Sequence, residues 1–181
     1  MGIITVNSDI EKLFGYDKMM MYELNSSSIK NITFTENTLY VVNGIINPDT
    51  AVEYTIPKGC ILRFEDGCYF GSNVTLNLND TLIEANNTKI FDGTRIIGFM
   101  KNNIVPVEWF GAVGDGITDD SAAINACIKY SGRGVVKMDA QFYRVKSPIM
   151  FTEANWEEER MKTIQIITFG PLIKVWLLLA L

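Results

Sequence analysis

The sequence contains no histidine. Histidine is the most common general base and the most common metal ligand in proteins, and it completes Ser-His and Cys-His nucleophile pairs. Its absence excludes those catalytic arrangements. Any chemistry must rest on carboxylates, lysine, arginine, tyrosine or cysteine.

Cysteine is also scarce, and no pair is closely spaced. The three residues are Cys60, Cys68 and Cys127. An odd number without a CxxC pair indicates reduced thiols in a protein made in the cytosol, and it argues against a zinc site. Cys60 and Cys68 are expected to be core residues, because only Lys58 lies near enough in sequence to lower a thiol pKa.

Three further features are missing. The N-terminus "MGIITVNSDIEKLF" has no basic n-region and no long apolar h-region, so we predict no secretory signal. Gly170, Pro171 and Lys174 interrupt the apolar tail from Ile164 to Leu181, which is shorter than the roughly 20 apolar residues of a spanning helix. The net charge of −5, without a basic stripe, argues against nucleic acid as a partner.

The sequence instead contains many short apolar runs separated by turn signals. From residue 31 to about 98 these runs include "LYVV", "VEYTI", "CILRF", "CYF", "VTLNL", "TLIEA", "KIF" and "RIIG". Asn43-Gly44, Asp66-Gly67, Asn79-Asp80 and Asp92-Gly93 lie between them. Nothing there sustains a helical period, so residues 31–105 are predicted to be a short-stranded β-region.

Two architectures fit this β-region. Sandwich strands usually run five or six residues and are joined by hairpins. A parallel β-solenoid uses very short strands joined by sharp corners, which suits the rapid alternation of runs and turns. Because the repeat is degenerate, periodicity alone leaves both possibilities open.

The flanking segments differ from the β-region. Residues 1–30 are predicted to be an arm with one short helix, since Ser8 and Glu11 form a capping-box pattern and Gly15 follows. Within residues 106–151, "SAAINACIKYSG" is predicted to be a helix that begins after Asp119 or Asp120 and ends near Gly132, followed by strands in "GVVKM" and "QFYRVKSPIMF". Residues 152–181 form an atypical tail.

The most informative stretch is "EWFGAVGDGITDDSAAINACI", from Glu108 to Ile128. Its aspartates could be a carboxylate pair for glycoside hydrolysis or ligands for Ca²⁺. Its glycines could bind phosphate at a helix N-terminus, but the aspartates are negative and no P-loop lysine follows. Turn and cap chemistry explains every residue type, so we interpret Asp115, Asp119 and Asp120 as structural and predict no catalytic, cofactor or metal residue.

This stretch resembles the start of the pectate-lyase-like right-handed β-helix proteins, in particular bacteriophage tailspikes and related virion proteins. In that family a similar segment precedes a short helix that caps the mouth of the β-helix. The resemblance extends over residues 31–151 and is carried chiefly by these positions: Trp109, Phe110, Gly111, Ala112, Gly114, Asp115, Gly116, Thr118, Asp119, Asp120, Ala122, Ala123 and Ile124.

The resemblance implies a mainly β fold, in which the short-stranded region leads into the start of a right-handed parallel β-helix with one capping helix. It also implies homotrimeric tailspikes or tail fibres that contact other virion proteins and bind host surface polysaccharide. The missing secretory signal suits a virion protein made in the host cytoplasm. Residues 1–30 would then be a virion-attachment segment.

Three functions are compatible with this expectation. The first is a non-catalytic tailspike or fibre base that contributes to polysaccharide recognition. The second is a polysaccharide lyase or glycoside hydrolase of the β-helix type, although catalytic and Ca²⁺-binding acids of the family lie downstream of the capping helix. The third is an assembly module or a remnant of a longer spike. Tyr130 and Arg133, at the helix end, are the candidate carbohydrate contacts.

Overall fold

The computed structural model describes residues 19–132 and 134–150, together with the backbone of Ile167–Thr168. This part of the chain is mainly β and contains one α-helix, α1 (Ser121–Tyr130). Two 3-10 helices span Ser28–Asn31 and Val107–Phe110. The strands are β1 (Met20–Leu24), β2 (Thr38–Val42), β3 (Val52–Ile56), β4 (Ile61–Phe64), β5 (Val74–Glu84), β6 (Arg95–Met100), β7 (Ile104–Pro106), β8 (Asp115–Asp119), β9 (Val135–Met138), β10 (Phe142–Arg144) and β11 (Ile167–Thr168).

The strands of the described residues pair in parallel, and the largest sheet curls around β5. Its order is β1-β2-β4-β5-β3, and β6 also pairs with β5. The first half of β5 lies between β3 and β6, whereas its second half pairs with β4. Asp80, with a φ of 53°, lies between the halves. The two halves of β5 therefore pair with different strands, and the sheet bends at Asp80.

The register of this sheet repeats along the chain. Leu39 pairs with Ile61, which pairs in turn with Leu82. Tyr54, Leu76 and Ile96 form a second row, and Ile46, Phe70 and Phe91 form a third through single bridges. Partners within a row are 20 to 24 residues apart, so each pass of the chain lies on the pass before it.

The repeated register places apolar side chains on one another in the core. Leu76, Phe70 and Tyr40 are fully buried, and each such large side chain contributes roughly 1.5–3 kcal/mol by leaving water. Ring contacts connect the rows. Phe64 meets the Phe91 ring edge-on at 5.8 Å, and Phe91 lies 5.4 Å from Phe110. The core therefore continues from the curled sheet into the second 3-10 helix.

Two smaller sheets and α1 follow the curled sheet. β7, β9 and β11 form one sheet, and β8 and β10 form the other. Helix α1 packs on the second 3-10 helix and on β6, burying Ala123, Ile124 and Cys127. The "GDG" segment is thereby held at the junction between α1 and the β8–β10 pair.

The predicted β-region is confirmed, with changes in detail. "VTLNL" and "TLIEA" are one strand, β5, because Asp80 bends the chain without ending the ladder. "CYF" and "KIF" contribute only the bridge residues Phe70 and Phe91. Residues 20–24, placed in the N-terminal arm by the sequence analysis, form β1 and pair with β2 over their whole length.

The helix is also confirmed, and Gly132 follows it with a φ of 60°. The strand predicted in "QFYRVKSPIMF" was too long, because β10 ends at Arg144 and the next backbone groups bond to Ser121. The helix predicted near Ser8 and the apolar tail, apart from Ile167–Thr168, lie outside the described residues. Within the part that is described, no helix is long and apolar enough to cross a membrane.

A side chain continues the β5–β6 hydrogen-bond ladder beyond the end of β6. The Asn102 amide accepts the Ile83 backbone N–H at 2.9 Å and donates to the Ile83 carbonyl at 2.8 Å. The amide therefore forms both of the bonds that a neighbouring strand would form. Since Ile83 is buried, these backbone groups have no access to solvent as a substitute partner.

Replacing Asn102 by alanine should lower the free energy of unfolding by about 1–3 kcal/mol, because the buried N–H and C=O of Ile83 lose their partners. The neighbouring Asn103→Ala variant removes an exposed amide of the same type and should change stability by less than about 0.5 kcal/mol. Urea denaturation of both variants measures the difference. Equal losses would show that the side-chain pairing contributes nothing specific.

Candidate functional site

The segment from Gly111 to Ser121 turns the chain from the second 3-10 helix into α1. Gly111, Gly114 and Gly116 have φ values of 95°, 68° and 72°, in the left-handed region that favours glycine. At Gly114 there is a second restriction, since an added Cβ would lie 2.1 Å from the Cβ of Ala140. The glycines are therefore needed for the backbone path.

Asp115 closes a local turn. Its Oδ1 accepts the N–H groups of Ile117 at 2.8 Å and Thr118 at 2.6 Å, and its Oδ2 accepts the Thr118 hydroxyl at 2.8 Å. These bonds lower the pKa of the Asp115 carboxyl, with the Thr118 N–H contributing most. The carboxylate is thus a charged acceptor for its own turn.

Asp119 connects the start of α1 to the chain after β10. Its Oδ1 accepts the Ser121 N–H at 3.1 Å, the Ser121 hydroxyl and the Lys146 N–H at 3.2 Å. The bonds from Ser121, the hydroxyl first, lower the pKa of Asp119. Ser121 Oγ in turn accepts the N–H groups of Lys146 and Ser147.

Asp120 is the buried centre of this junction. Its carboxylate accepts the Val113 N–H at 2.7 Å and the Gly114 N–H at 3.3 Å. Its own N–H donates to the Arg144 carbonyl, and its carbonyl accepts the Ile124 N–H. Asp120 is the N-cap residue by position, but its side chain makes no capping bond. The expectation that this carboxylate caps the helix was therefore wrong, because it binds the preceding turn.

Sequence reasoning missed a polar pair beneath the junction. The Tyr143 hydroxyl donates to Glu108 Oε1 and accepts the Ala140 N–H at 2.9 Å. Burial, followed by the bond to Glu108, raises the pKa of Tyr143 above its ordinary value. Glu108 Oε2 is buried without a hydrogen-bond partner among the described residues. The two side chains are 35 residues apart, so no local pattern pointed to the pair.

The cysteine nearest to this pair is unsuited to nucleophilic chemistry. Cys127 is fully buried in α1, and its Sγ lies 3.4 Å from the Val105 carbonyl. Burial, and then the charge of Glu108, raise the pKa of its thiol far above the usual range. The thiolate, which is the nucleophilic form, is thereby disfavoured.

The aromatic residues of the motif belong to the core. Trp109 is buried and its Nε1 donates to the Asn86 carbonyl at 3.0 Å. Phe110 stacks on Tyr130 with ring centroids 6.0 Å apart. Tyr130, a candidate sugar contact, is therefore half-buried, with Lys129 Nζ 5.0 Å from its ring centroid. Arg133, the other candidate, lies outside the described residues.

These contacts assign the three aspartates to backbone organisation. They hold two turns and the chain after β10. Among residues 19–132 and 134–150 there is no cluster of three or more Cys, Asp or Glu side chains that could hold a metal ion. The geometry of the segment from Gly111 to Ser121 therefore supports a structural role, which is to position α1 and the β8–β10 pair.

The lowered pKa values of Asp115 and Asp119 make this junction sensitive to acid. Because each folded pKa lies below the ordinary 3.8, the stabilisation is complete above about pH 4 and is lost as the pH falls through the folded values. An Asp115→Asn, Asp119→Asn double variant should be less stable than the wild type at about pH 6, and the difference should shrink at about pH 3. Urea unfolding at both pH values tests this, and a constant difference would contradict it.

The buried tyrosine gives a second expectation. Tyr143→Phe should lower the free energy of unfolding by about 1–3 kcal/mol, because Glu108 and the Ala140 N–H lose a partner. Tyr22→Phe is the matched control, since the Tyr22 hydroxyl has no hydrogen bond within the described part, and it should cost less than about 0.5 kcal/mol. Thermal and urea unfolding should rank the variants in this order. Indistinguishable stabilities would contradict a structural role for the pair.

Comparison with known proteins gives no match: no family model fits the chain, and no curated protein and no solved structure is significantly similar to it. Function must therefore be argued from the geometry of the chain.

Proposed function

We propose that this chain is the non-catalytic base of a virion spike or fibre, built on the start of a right-handed parallel β-helix and contributing to recognition of host surface polysaccharide. The carrying observation is the repeated parallel register of the curled sheet. A chain that advances by one pass every 20 to 24 residues builds an elongated stack. Its proposed hand follows from the strong preference of parallel crossover connections for right-handed turns.

The glycine–aspartate junction supports the same proposal. It places α1 against the second 3-10 helix and β6, where the helix covers apolar side chains. Covering the end of a stack is what a capping helix does, and terminal repeats need such a cover because they lack one neighbour. The residues of this segment also resemble the entry motif of tailspike β-helices.

A non-catalytic role is supported by the way the carboxylates are used. Asp115 and Asp119 accept hydrogen bonds at their own turns, and Asp120 is buried beneath two backbone N–H groups. Glycoside hydrolysis requires two carboxyl groups flanking the bond that breaks. These three carboxylates are instead engaged by donors of the chain itself.

Assembly into a trimer is supported by the apolar surface around β8 and β10. Ile117 is 73% exposed, and Val113, Phe142 and Val145 are also exposed. Clustered exposed apolar side chains in a soluble protein mark interaction surfaces. β10 also pairs only with β8 among the described strands, so its other edge is available for pairing.

Light scattering coupled to size exclusion tests the assembly. We expect a trimer for the wild type, and dissociation of the Ile117→Ser, Phe142→Ser double variant, because a serine at each position removes apolar contact area. Ile45→Ser, at an exposed isoleucine remote from β8 and β10 in sequence, is the matched control and should remain trimeric. A wild type that is monomeric at high protein concentration would overturn the assembly proposal.

Binding to immobilised polysaccharides tests recognition, and the same samples test catalysis. The expected result is retention on one polysaccharide class without release of reducing or unsaturated ends. Release of either product would reverse the non-catalytic assignment in favour of a lyase or a hydrolase.

A further inference from the structure

A shallow open groove is formed by the chain just before β2, after β3, at the bend within β5 and at the end of β6. Its volume is about 560 Å³, within the range of roughly 300–1,000 Å³ that is usual for ligand sites. The residues that line the groove include Glu36, Lys58, Asn79, Asp80, Gly98 and Phe99. Four successive passes of the chain thus contribute to one surface.

The charged side chains of the groove are not paired with one another. The ion pairs of the described residues are Arg63–Glu84, Lys89–Asp92 and Lys137–Asp139, and none involves the groove. Within the described part of the chain, three charged groups of the groove form no hydrogen bond and no ion pair: the carboxylates of Glu36 and Asp80 and the ammonium of Lys58. These groups are therefore available to a ligand.

The Asn79 amide is fixed in the same groove. Its Nδ2 donates to the Ile56 carbonyl at 2.8 Å, and no bond of the described chain uses its Oδ1. With the two carboxylates, the groove presents three acceptor groups and one strong donor. A ligand rich in hydroxyl groups can donate to these acceptors and accept from Lys58.

The backbone around the groove is unusual. Asn37 and Asp80 have φ values of 52° and 53° and are the non-glycine residues with positive φ in the described chain. Asp80 lines the groove, and Asn37 follows Glu36. Such conformations cost about 1 kcal/mol or more and are concentrated at functional sites. At Gly98 a Cβ would lie 2.1 Å from the Leu78 carbonyl oxygen, so part of the floor is bare backbone.

Phe99 adds an apolar surface beside the acceptors. It is half-buried, and its Cδ1 lies 2.8 Å from the position that a Cβ on Gly132 would take, so the ring packs against the chain just after α1. An aromatic surface beside several hydrogen-bonding groups suits a sugar, whose C–H faces are apolar and whose rim is polar. Two carboxylates against one ammonium make the groove acidic, which disfavours an anionic ligand.

We propose that this groove binds a short segment of a neutral or amino-bearing oligosaccharide, and that it rejects uronate polymers. The inference rests on the proposed function and locates its recognition surface. Sugar hydroxyl or ammonium groups donate to Asp80, Glu36 and Asn79 Oδ1, Lys58 donates to a ring or hydroxyl oxygen, and one sugar face packs on Phe99.

The full chain should be titrated by calorimetry with three probes: chitin oligomers, which are neutral, chitosan oligomers, which carry amines, and oligogalacturonates, which are anionic. The wild type should bind chitin or chitosan oligomers and not oligogalacturonates. Asp80→Asn should weaken chitosan binding by about tenfold, because an ionic hydrogen bond becomes neutral. Phe99→Leu, which keeps apolar bulk beside Gly132, should weaken binding of both classes.

Glu53→Gln and Ile45→Leu are the matched controls, since both residues are exposed and lie outside the groove. If Asp80→Asn, Lys58→Gln and Phe99→Leu all leave saccharide binding unchanged, the groove is not the binding site. The proposed function would still stand in that case. Preferential binding of oligogalacturonate, or no binding of any probe by the wild type, would also overturn the groove as the binding site, while light scattering reports independently on the spike assembly. If circular dichroism shows Phe99→Leu to be unfolded, the Asp80 and Lys58 variants decide.

Discussion

The constraint on which the structure depends is the in-register stacking of successive passes of the chain. Leu39, Ile61 and Leu82 share one row, and Tyr54, Leu76 and Ile96 share another. A shift by one residue would turn each strand's buried side chains outward, so the apolar rows fix the register. The left-handed residue Asp80 follows from this, because the chain must bend between rows without losing them.

The same constraint explains the roles of polar side chains at the ends of the rows. Asn102 pairs with the Ile83 backbone just beyond the end of β6, and the Asn79 amide donates to the Ile56 carbonyl at the bend. Asp120 has a similar role before α1, since its buried carboxylate accepts hydrogen bonds from the Val113 and Gly114 N–H groups. These residues satisfy backbone groups that stacking alone leaves without partners.

Local sequence patterns predict much of the fold. The β-region, the helix after "TDD" and the turning role of Gly114 and Gly116 each depend on a few neighbouring residues. The strand through Asp80 and the sheet position of Met20–Leu24 were missed, because each depends on partners about 20 residues away. The Glu108–Tyr143 pair was missed for the same reason, with no spacing rule connecting its members.

The amino-acid composition limits the chemistry available to this protein: no histidine, no closely spaced cysteines, and aspartates beside glycines that turn the chain. These properties are local, so they depend on no distant contact. Which carboxylates are engaged by the chain and which remain available depends on tertiary contacts. Asp120 is occupied by backbone N–H groups, whereas Glu36 and Asp80 line one groove with Phe99, because parallel stacking brings together segments that are distant in sequence.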